Sequence, residues 1–243
     1  MNIYQSILEH KKAGKKLFAL LMDPDNYSPT AAAEMAVLAQ KSRVDYLLVG
    51  GSLLSNNISG FIDILKTHTD LPVVLFPGST FQLAGNADAI LFLSLISGRN
   101  PELLIGNHVI AAPLLKKMNI EVIPTGYILV DGGKTTSVQY MSHTTPIPAD
   151  KPDIVKATAM AGEMLGLKAL YIEAGSGASR VFSSEILKDI SSHIDIPIIY
   201  GGGIKSPDQL KLQLESGVDM LVVGNSIEKN PDLLPEFTAL VKK

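Results

Sequence analysis

The sequence predicts an α/β fold: a single (β/α)8 (TIM) barrel with an N-terminal helix and a missing or shortened third helix. Three observations predict it. Eight short apolar runs alternate with stretches of helical spacing, the pattern of parallel βαβ units. The apolar run Ile198-Ile199-Tyr200 stops at Gly201-Gly202-Gly203, and Val222-Val223 stops at Gly224-Asn225-Ser226. Two such loops near the C-terminus look like the phosphate cup that the last two βα loops of a barrel form. The chain has 243 residues, 46% of them hydrophobic, which suffices for one large core. No composition shift marks a linker, so residues 1–243 read as one domain.

The elements follow in order. Ile3, Ile7 and Leu8 sit at helical spacing, predicting a leading helix over 2–13 ended by Gly14. Residues 17–22 form a buried strand that ends in Asp23-Pro24-Asp25. A helix over 30–41, a strand over 46–49 ending in Gly50-Gly51-Ser52, a helix over 58–67 and a strand over 71–76 come next. Residues 77–87 hold Pro77, Gly78 and Gly85 and are too few for a crossover helix with its loops, so that helix is expected to be absent or shrunken. A fourth strand over 89–93 leads through Ser97-Gly98-Arg99-Asn100-Pro101 to a helix ending at Lys117. The fifth strand covers 121–130. Residues 131–152 read as a long loop, followed by a helix over 153–165. The sixth strand, 169–173, runs into Ala174-Gly175-Ser176-Gly177. Helices over 184–192 and 207–216 flank the seventh strand, 197–200. The eighth strand is 220–223, and a helix over 231–241 closes the chain.

Composition excludes several function classes. A net charge of −3 argues against general nucleic-acid binding, which needs a basic face. With no cysteine there is neither a disulfide framework nor a thiolate metal site. Residues 1–16 lack a signal-peptide core, and no run reaches the roughly 18 apolar residues of a membrane span. A cytoplasmic protein is expected, one compatible with transient contact with a membrane surface.

Barrel active sites lie at the C-terminal strand ends, which here carry carboxylates early and anion-friendly loops late. Pro24 stiffens the turn that aims Asp23 and Asp25. Hard oxygen donors of this kind suit Mg2+, which takes one or two carboxylates plus substrate phosphates. Asp23 with Ser52 is the candidate metal pair; Asp25 is equally readable as a cap. In Tyr171-Ile172-Glu173-Ala174-Gly175-Ser176-Gly177, Tyr171 and Glu173 share one strand face, into the barrel mouth. Glu173 is placed to take a proton from a substrate hydroxyl or to hold it by a hydrogen bond, while Gly175, Ser176 and Gly177 offer donors to a phosphate; the plainer reading is a core tyrosine beside a bridging glutamate. Gly202, Gly203, Gly224 and Asn225 complete the candidate anion site. Arg99 suits a second phosphate or a place on the surface. The five histidines (10, 68, 108, 143 and 193) show no ligand spacing and read as surface or local structural residues. Asp131-Gly132-Gly133-Lys134 reads as a turn.

Leu21 to Asp25 (Leu-Met-Asp-Pro-Asp), Val-Gly-Gly-Ser at 49–52, Ser-Gly-Arg-Asn-Pro at 97–101, Tyr-Ile-Glu-Ala-Gly-Ser-Gly at 171–177, Tyr-Gly-Gly-Gly-Ile at 200–204 and Val-Val-Gly-Asn at 222–225 together resemble the geranylgeranylglyceryl phosphate synthases and their bacterial heptaprenylglyceryl phosphate relatives. The resemblance runs nearly end to end and implies a modified barrel without its third helix. It also implies Mg2+-dependent transfer of a prenyl group from its diphosphate to the 3-hydroxyl of sn-glycerol 1-phosphate. Asp23 and Ser52 match the family's Mg2+ positions. Tyr171, Ile172, Glu173, Ala174, Gly175, Ser176, Gly177, Gly202, Gly203, Gly224 and Asn225 match its glycerol-phosphate site, with Glu173 accepting the hydroxyl proton and Mg2+ with Arg or Lys neutralising the leaving diphosphate. An apolar groove near Leu53, Phe76 and Phe81 is expected for the tail, and a homo-oligomer through outer helices is implied. Part of the family carries Lys where this chain has Leu21. That departure and the Ala-Gly-Ser-Gly loop resemble the archaeal-like second group, favouring a geranylgeranyl donor over heptaprenyl. Two competing readings are another phosphate-binding barrel enzyme, an isomerase or lyase, and a non-catalytic flavin or metabolite binder. An isomerase wants an acid–base pair across the mouth, and a flavin binder would purify yellow.

Overall fold

The computed structural model describes residues 2–174 and 182–242. Eight parallel strands close in sequence order: β1 (Leu17–Met22), β2 (Tyr46–Val49), β3 (Val73–Leu75), β4 (Ala89–Leu95), β5 (Glu121–Leu129), β6 (Ala169–Glu173), β7 (Ile198–Gly201) and β8 (Met220–Val223), which pairs back onto β1. The helices are α1 (Ile3–Lys12), α2 (Pro29–Lys41), α3 (Ile58–His68), α4 (Asn107–Met118), α5 (Ser137–Ser142), α6 (Pro152–Met164), α7 (Ser184–Ser191), α8 (Pro207–Leu214), α9 (Asn225–Lys229) and α10 (Leu233–Val241). None of the described helices is long and apolar enough to cross a membrane.

Strand alternation divides the core in two. Outward-facing Phe18, Leu20, Leu47, Leu75, Ile90, Ile172, Tyr200 and Leu221 pack under the helices. Inward-facing Ala19, Leu48, Val74, Leu91, Tyr127, Tyr171, Ile199 and Val222 fill the barrel. At the N-terminal end, α1 closes the floor. Its Ile3 and Ile7 enter the interior cluster, and the Glu121 carboxylate accepts from the Ile3 and Tyr4 amides at 2.6 and 2.8 Å, satisfying two donors of the first turn. The opposite end is left for the site.

Between β3 and β4 the chain makes a single 3-10 turn, Thr80–Gln82, in place of a crossover helix. The shortened third helix expected from Pro77, Gly78 and Gly85 is therefore seen. Three local features differ from expectation. The 131–152 stretch contains α5, whose N-cap Thr136 accepts from the Gln139 amide. A short α9 follows directly on Gly224. A π-helical turn, Glu102–Gly106, precedes α4 and shifts its phase. Ser206 and Pro207 start α8 as N-cap and first helical residue, residue types that suit those two positions.

Candidate active site at the barrel mouth

Tyr171 and Glu173 both point inward from β6, because residues two apart share a strand face. Glu173 is buried, and the Tyr127 hydroxyl hydrogen-bonds to its carboxylate. Register explains the partner: Tyr127 pairs with Tyr171, and Leu129 with Glu173, across β5 and β6. Burial raises the Glu173 carboxyl to about 7, although the Tyr127 hydrogen bond pulls it down. The Tyr127 and Tyr171 hydroxyls are driven well above their usual range by the same burial. Phe76 closes an aromatic trio, 4.7 Å from Tyr171 and 6.2 Å from Tyr127 between ring centres. Ile172 faces the helices, so its side chain packs in the outer core and only its backbone lies near the mouth. Ala174 is buried beyond Glu173. Gly175, Ser176 and Gly177 lie outside the described residues.

The late loops form next to this carboxylate. Gly201 is opposite Glu173 in register, and a β-carbon there would stand 2.1 Å from the Tyr171 hydroxyl, so only glycine fits. Gly202 and Gly203 are both left-handed, at φ of 82° and 80°, a pair of conformations that glycine adopts without strain. The Ser226 hydroxyl donates to the Ile204 carbonyl at 2.8 Å and joins this loop to the one carrying Gly224 and Asn225. Gly224 lies against the Leu21 carbonyl of β1, and Asn225 is exposed at the start of α9.

Across the mouth, Asp23 is half-buried and packs on Gly51; a β-carbon on Gly51 would come within 2.5 Å of its Oδ2. Burial pushes the Asp23 carboxyl up, against the hydrogen bond from the Asp25 amide. Asp25 does something else: it accepts from the Ser55 and Asn56 amides, both at 2.8 Å, which holds its own carboxyl low. It is therefore a cap, in the neighbouring loop rather than on the following helix. Asp23 and the half-buried Ser52 supply two hard oxygens at the rim, and among the described residues no group of three or more His, Cys, Asp or Glu could cage a metal. That donor set fits Mg2+ shared with a phosphorylated substrate.

Of its two readings, Arg99 shows the surface place: it is exposed and turns back on its own loop, donating to the Ile96 and Gly98 carbonyls. Gly133 donates to Asp131, the turn expected there. The expectation of a groove lined by Leu53 and Phe81 is corrected: both side chains are exposed, 68% and 95%. An apolar groove lies beside the β3–β4 connection, in the slot vacated by the missing helix. It spans about 430 Å3 including its open mouth, between Leu83, Phe92, Leu93, Leu103, His108 and Ala111. Of these residues only His108 is singled out by the sequence reading, as a surface or local structural residue. It is buried, with Nε2 3.0 Å from the Ser94 hydroxyl and its ring edge-on to Phe92. Tyr127 was also missed, since only strand register brings it to Glu173. Glu228 of α9 is a further unexpected neighbour: it accepts from Asn26, and burial with the nearby Asp23 raises its carboxyl.

Comparison with known proteins agrees with this geometry. The sequence matches the PcrB family over residues 7–241. It is 49% identical to the geranylgeranylglyceryl phosphate synthase of Chitinophaga pinensis, over 98% of this chain and 95% of that one. It is 40% identical to the synthase of that name from Pyrococcus horikoshii, over 94% and 90% of the two chains. The crystal structure of (S)-3-O-geranylgeranylglyceryl phosphate synthase from Thermoplasma acidophilum, in complex with the substrate sn-glycerol-1-phosphate, superposes with a TM-score of 0.93 at 31% identity, covering 100% of this chain and 99% of that one. With the match spanning the barrel from α1 to α10, this chain belongs to the PcrB family.

Proposed function

We propose that this protein is a Mg2+-dependent prenyltransferase that joins a prenyl diphosphate, preferably geranylgeranyl, to the 3-hydroxyl of sn-glycerol 1-phosphate. The observation that carries this reading is Glu173: a buried carboxyl held at about 7, on the rim of a barrel that superposes end to end on a synthase crystallised with sn-glycerol-1-phosphate. A base of that strength is matched to neutral pH.

In this reading Gly202, Gly203, Gly224 and Asn225, with the 175–177 loop, hold the phosphate of the acceptor. Their paired left-handed glycines and the Ser226 bridge support such a cradle. The acceptor's 3-hydroxyl lies toward Glu173. Its oxygen attacks the allylic carbon of the donor, the new ether C–O bond forms, and the proton passes to Glu173. The C–O bond to the diphosphate breaks, and that group leaves with the electron pair. Asp23 and Ser52 would hold Mg2+, which supplies neutralisation of the leaving diphosphate. The tail lies in the slot beside Phe92 and Leu103, whose exposed lining is mostly apolar.

The exposed apolar residues Ile105, Val109, Ile110 and Leu114 around α4 support assembly into a homo-oligomer. Exposed Phe81 and Leu53 support brief contact with a bilayer, and the absence of cysteine fits a cytoplasmic setting.

The test is direct. The purified protein is given Mg2+, sn-glycerol 1-phosphate and a mixture of geranylgeranyl and heptaprenyl diphosphates, and the product is weighed by mass spectrometry. The geranylgeranyl ether with stoichiometric diphosphate is expected. A phosphate compound isomerised or cleaved without diphosphate release would overturn the assignment.

A further inference from the structure

The slot left by the missing helix raises a mechanical problem. In a regular barrel a crossover helix after β3 braces the loops beside it, and here that brace is absent. The loop after β2 carries Gly51 and Ser52 and has to be held some other way. The structure shows two anchors on it. At its far end Asp25 takes the Ser55 and Asn56 amides. At its near end the contact is the side chain of Gln82, which sits on the 3-10 turn and is 2% exposed.

Gln82 uses both ends of its amide. Its Oε1 accepts from the Gly78 amide at 3.0 Å and from the Gly51 amide at 3.3 Å. Its Nε2 donates to the Gly51 carbonyl at 2.7 Å. Two of the three bonds lock the Gly51 peptide units on both sides, which fixes the direction in which the chain enters Ser52, and the third ties in Gly78. Three glycines make the fit possible. A β-carbon on Gly50 would lie 2.1 Å from the Phe76 carbonyl, one on Gly78 2.3 Å from the Gly51 carbonyl, and one on Gly51 2.5 Å from Asp23. The turn is thus pressed between Gln82 on one side and Asp23 on the other.

We propose that Gln82 is a positioning residue for the cation-and-diphosphate side of the site, holding Gly51 and Ser52 against Asp23 in place of the missing helix. The proposal rests on the reading of Asp23 and Ser52 as the Mg2+ and diphosphate side. Among the described residues, no hydrogen bond joins Gln82 to the acceptor side built on β6 to β8, so acceptor binding is expected not to depend on it.

The test is calorimetric and needs no turnover. Binding of inorganic diphosphate with Mg2+ is measured in saturating sn-glycerol 1-phosphate, and binding of sn-glycerol 1-phosphate is measured separately. Gln82→Met keeps the length and loses all three bonds. It is expected to weaken Mg-diphosphate binding roughly tenfold, the scale set by losing hydrogen bonds that orient a buried turn, with acceptor binding unchanged. Gln82→Glu keeps the acceptor oxygen and, at neutral pH, loses the donor to the Gly51 carbonyl; it is expected to fall between Gln82→Met and the parent, and it carries the test should Gln82→Met not fold. Asp23→Asn serves as the reference. If Asp23→Asn weakens Mg-diphosphate and the Gln82 variants do not, or if they weaken both ligands equally, the clamp is overturned and the cation reading stands. If Asp23→Asn leaves Mg-diphosphate binding intact, the cation reading falls and the clamp with it.

Discussion

A carboxylate works as a base near neutrality only if its surroundings resist ionisation without forbidding it. Glu173 meets that condition through two opposed influences: burial raises its carboxyl to about 7 and the Tyr127 hydroxyl lowers it. The rate of the chemical step is therefore expected to rise with pH through about 7 and level off above it. Tyr127→Phe removes the influence that lowers the pKa, so its midpoint should move to higher pH in a kcat profile. Stability has the opposite slope. A carboxyl raised in the folded state stabilises the fold fully below its unfolded value of 4.5, and that contribution is lost as pH rises through about 7. The ionised, buried form thus costs on the order of 3 kcal/mol at pH 8.5. Glu173→Gln should cut kcat by roughly a hundredfold or more, and its Tm relative to the parent should climb between pH 5.5 and 8.5. A Tm difference independent of pH would contradict the buried-carboxyl account. Glu173 is legible in the sequence because Tyr-x-Glu at the end of an apolar run puts both side chains on one face. Tyr127 is not legible, because nothing within 121–130 says which residue of β6 it will stand beside; the register of two strands distant in sequence decides it.

At the scale of elements, the decisive feature is the connection from β3 to β4. Its failure to form a helix can be read from Pro77, Gly78 and Gly85, since those residues leave too little helix-compatible chain. What lines the resulting slot cannot be read in the same way. Leu53 and Phe81 are apolar and lie in or beside the right loops, yet both side chains are exposed to solvent. The lining comes from the β3–β4 connection, from β4, from the π-helical turn at Glu102–Gly106 and from α4, and that turn sets which side of α4 faces the slot. Ala111 marks the inner side of α4 with the smallest side chain in the groove. Ala111→Phe should fill the slot and raise KM for geranylgeranyl diphosphate by roughly tenfold or more while leaving KM for sn-glycerol 1-phosphate unchanged. Steady-state kinetics with each substrate varied in turn separates these outcomes, and an equal rise in both KM values would place the tail elsewhere.

Over the whole molecule, the barrel separates what keeps it folded from what it does. Both ends are built from the same eight strands, but the N-terminal end is stoppered and the C-terminal end carries every candidate site residue. The helix is legible in the sequence from the spacing of Ile3 and Ile7; that it stoppers the barrel and docks onto Glu121 is not, because the two helix amides meet a carboxylate more than a hundred residues away. Ile7 is 2% exposed inside the barrel floor, near Leu48, Leu91 and Met220. Cutting it to alanine leaves a cavity that rigid strands cannot close, which costs about 2–4 kcal/mol. For a chain of this size that should lower Tm by about 4–16 °C. The site lies at the other end of a packed interior, so kcat and both KM values at 25 °C should stay within about twofold of the parent, because mutations at distant independent sites act additively. Thermal unfolding and kinetics on the same preparation test both halves. Loss of activity at 25 °C from Ile7→Ala, with the protein still folded, would mean that the floor and the mouth are coupled through the strands, and the division of labour between the two ends would fail.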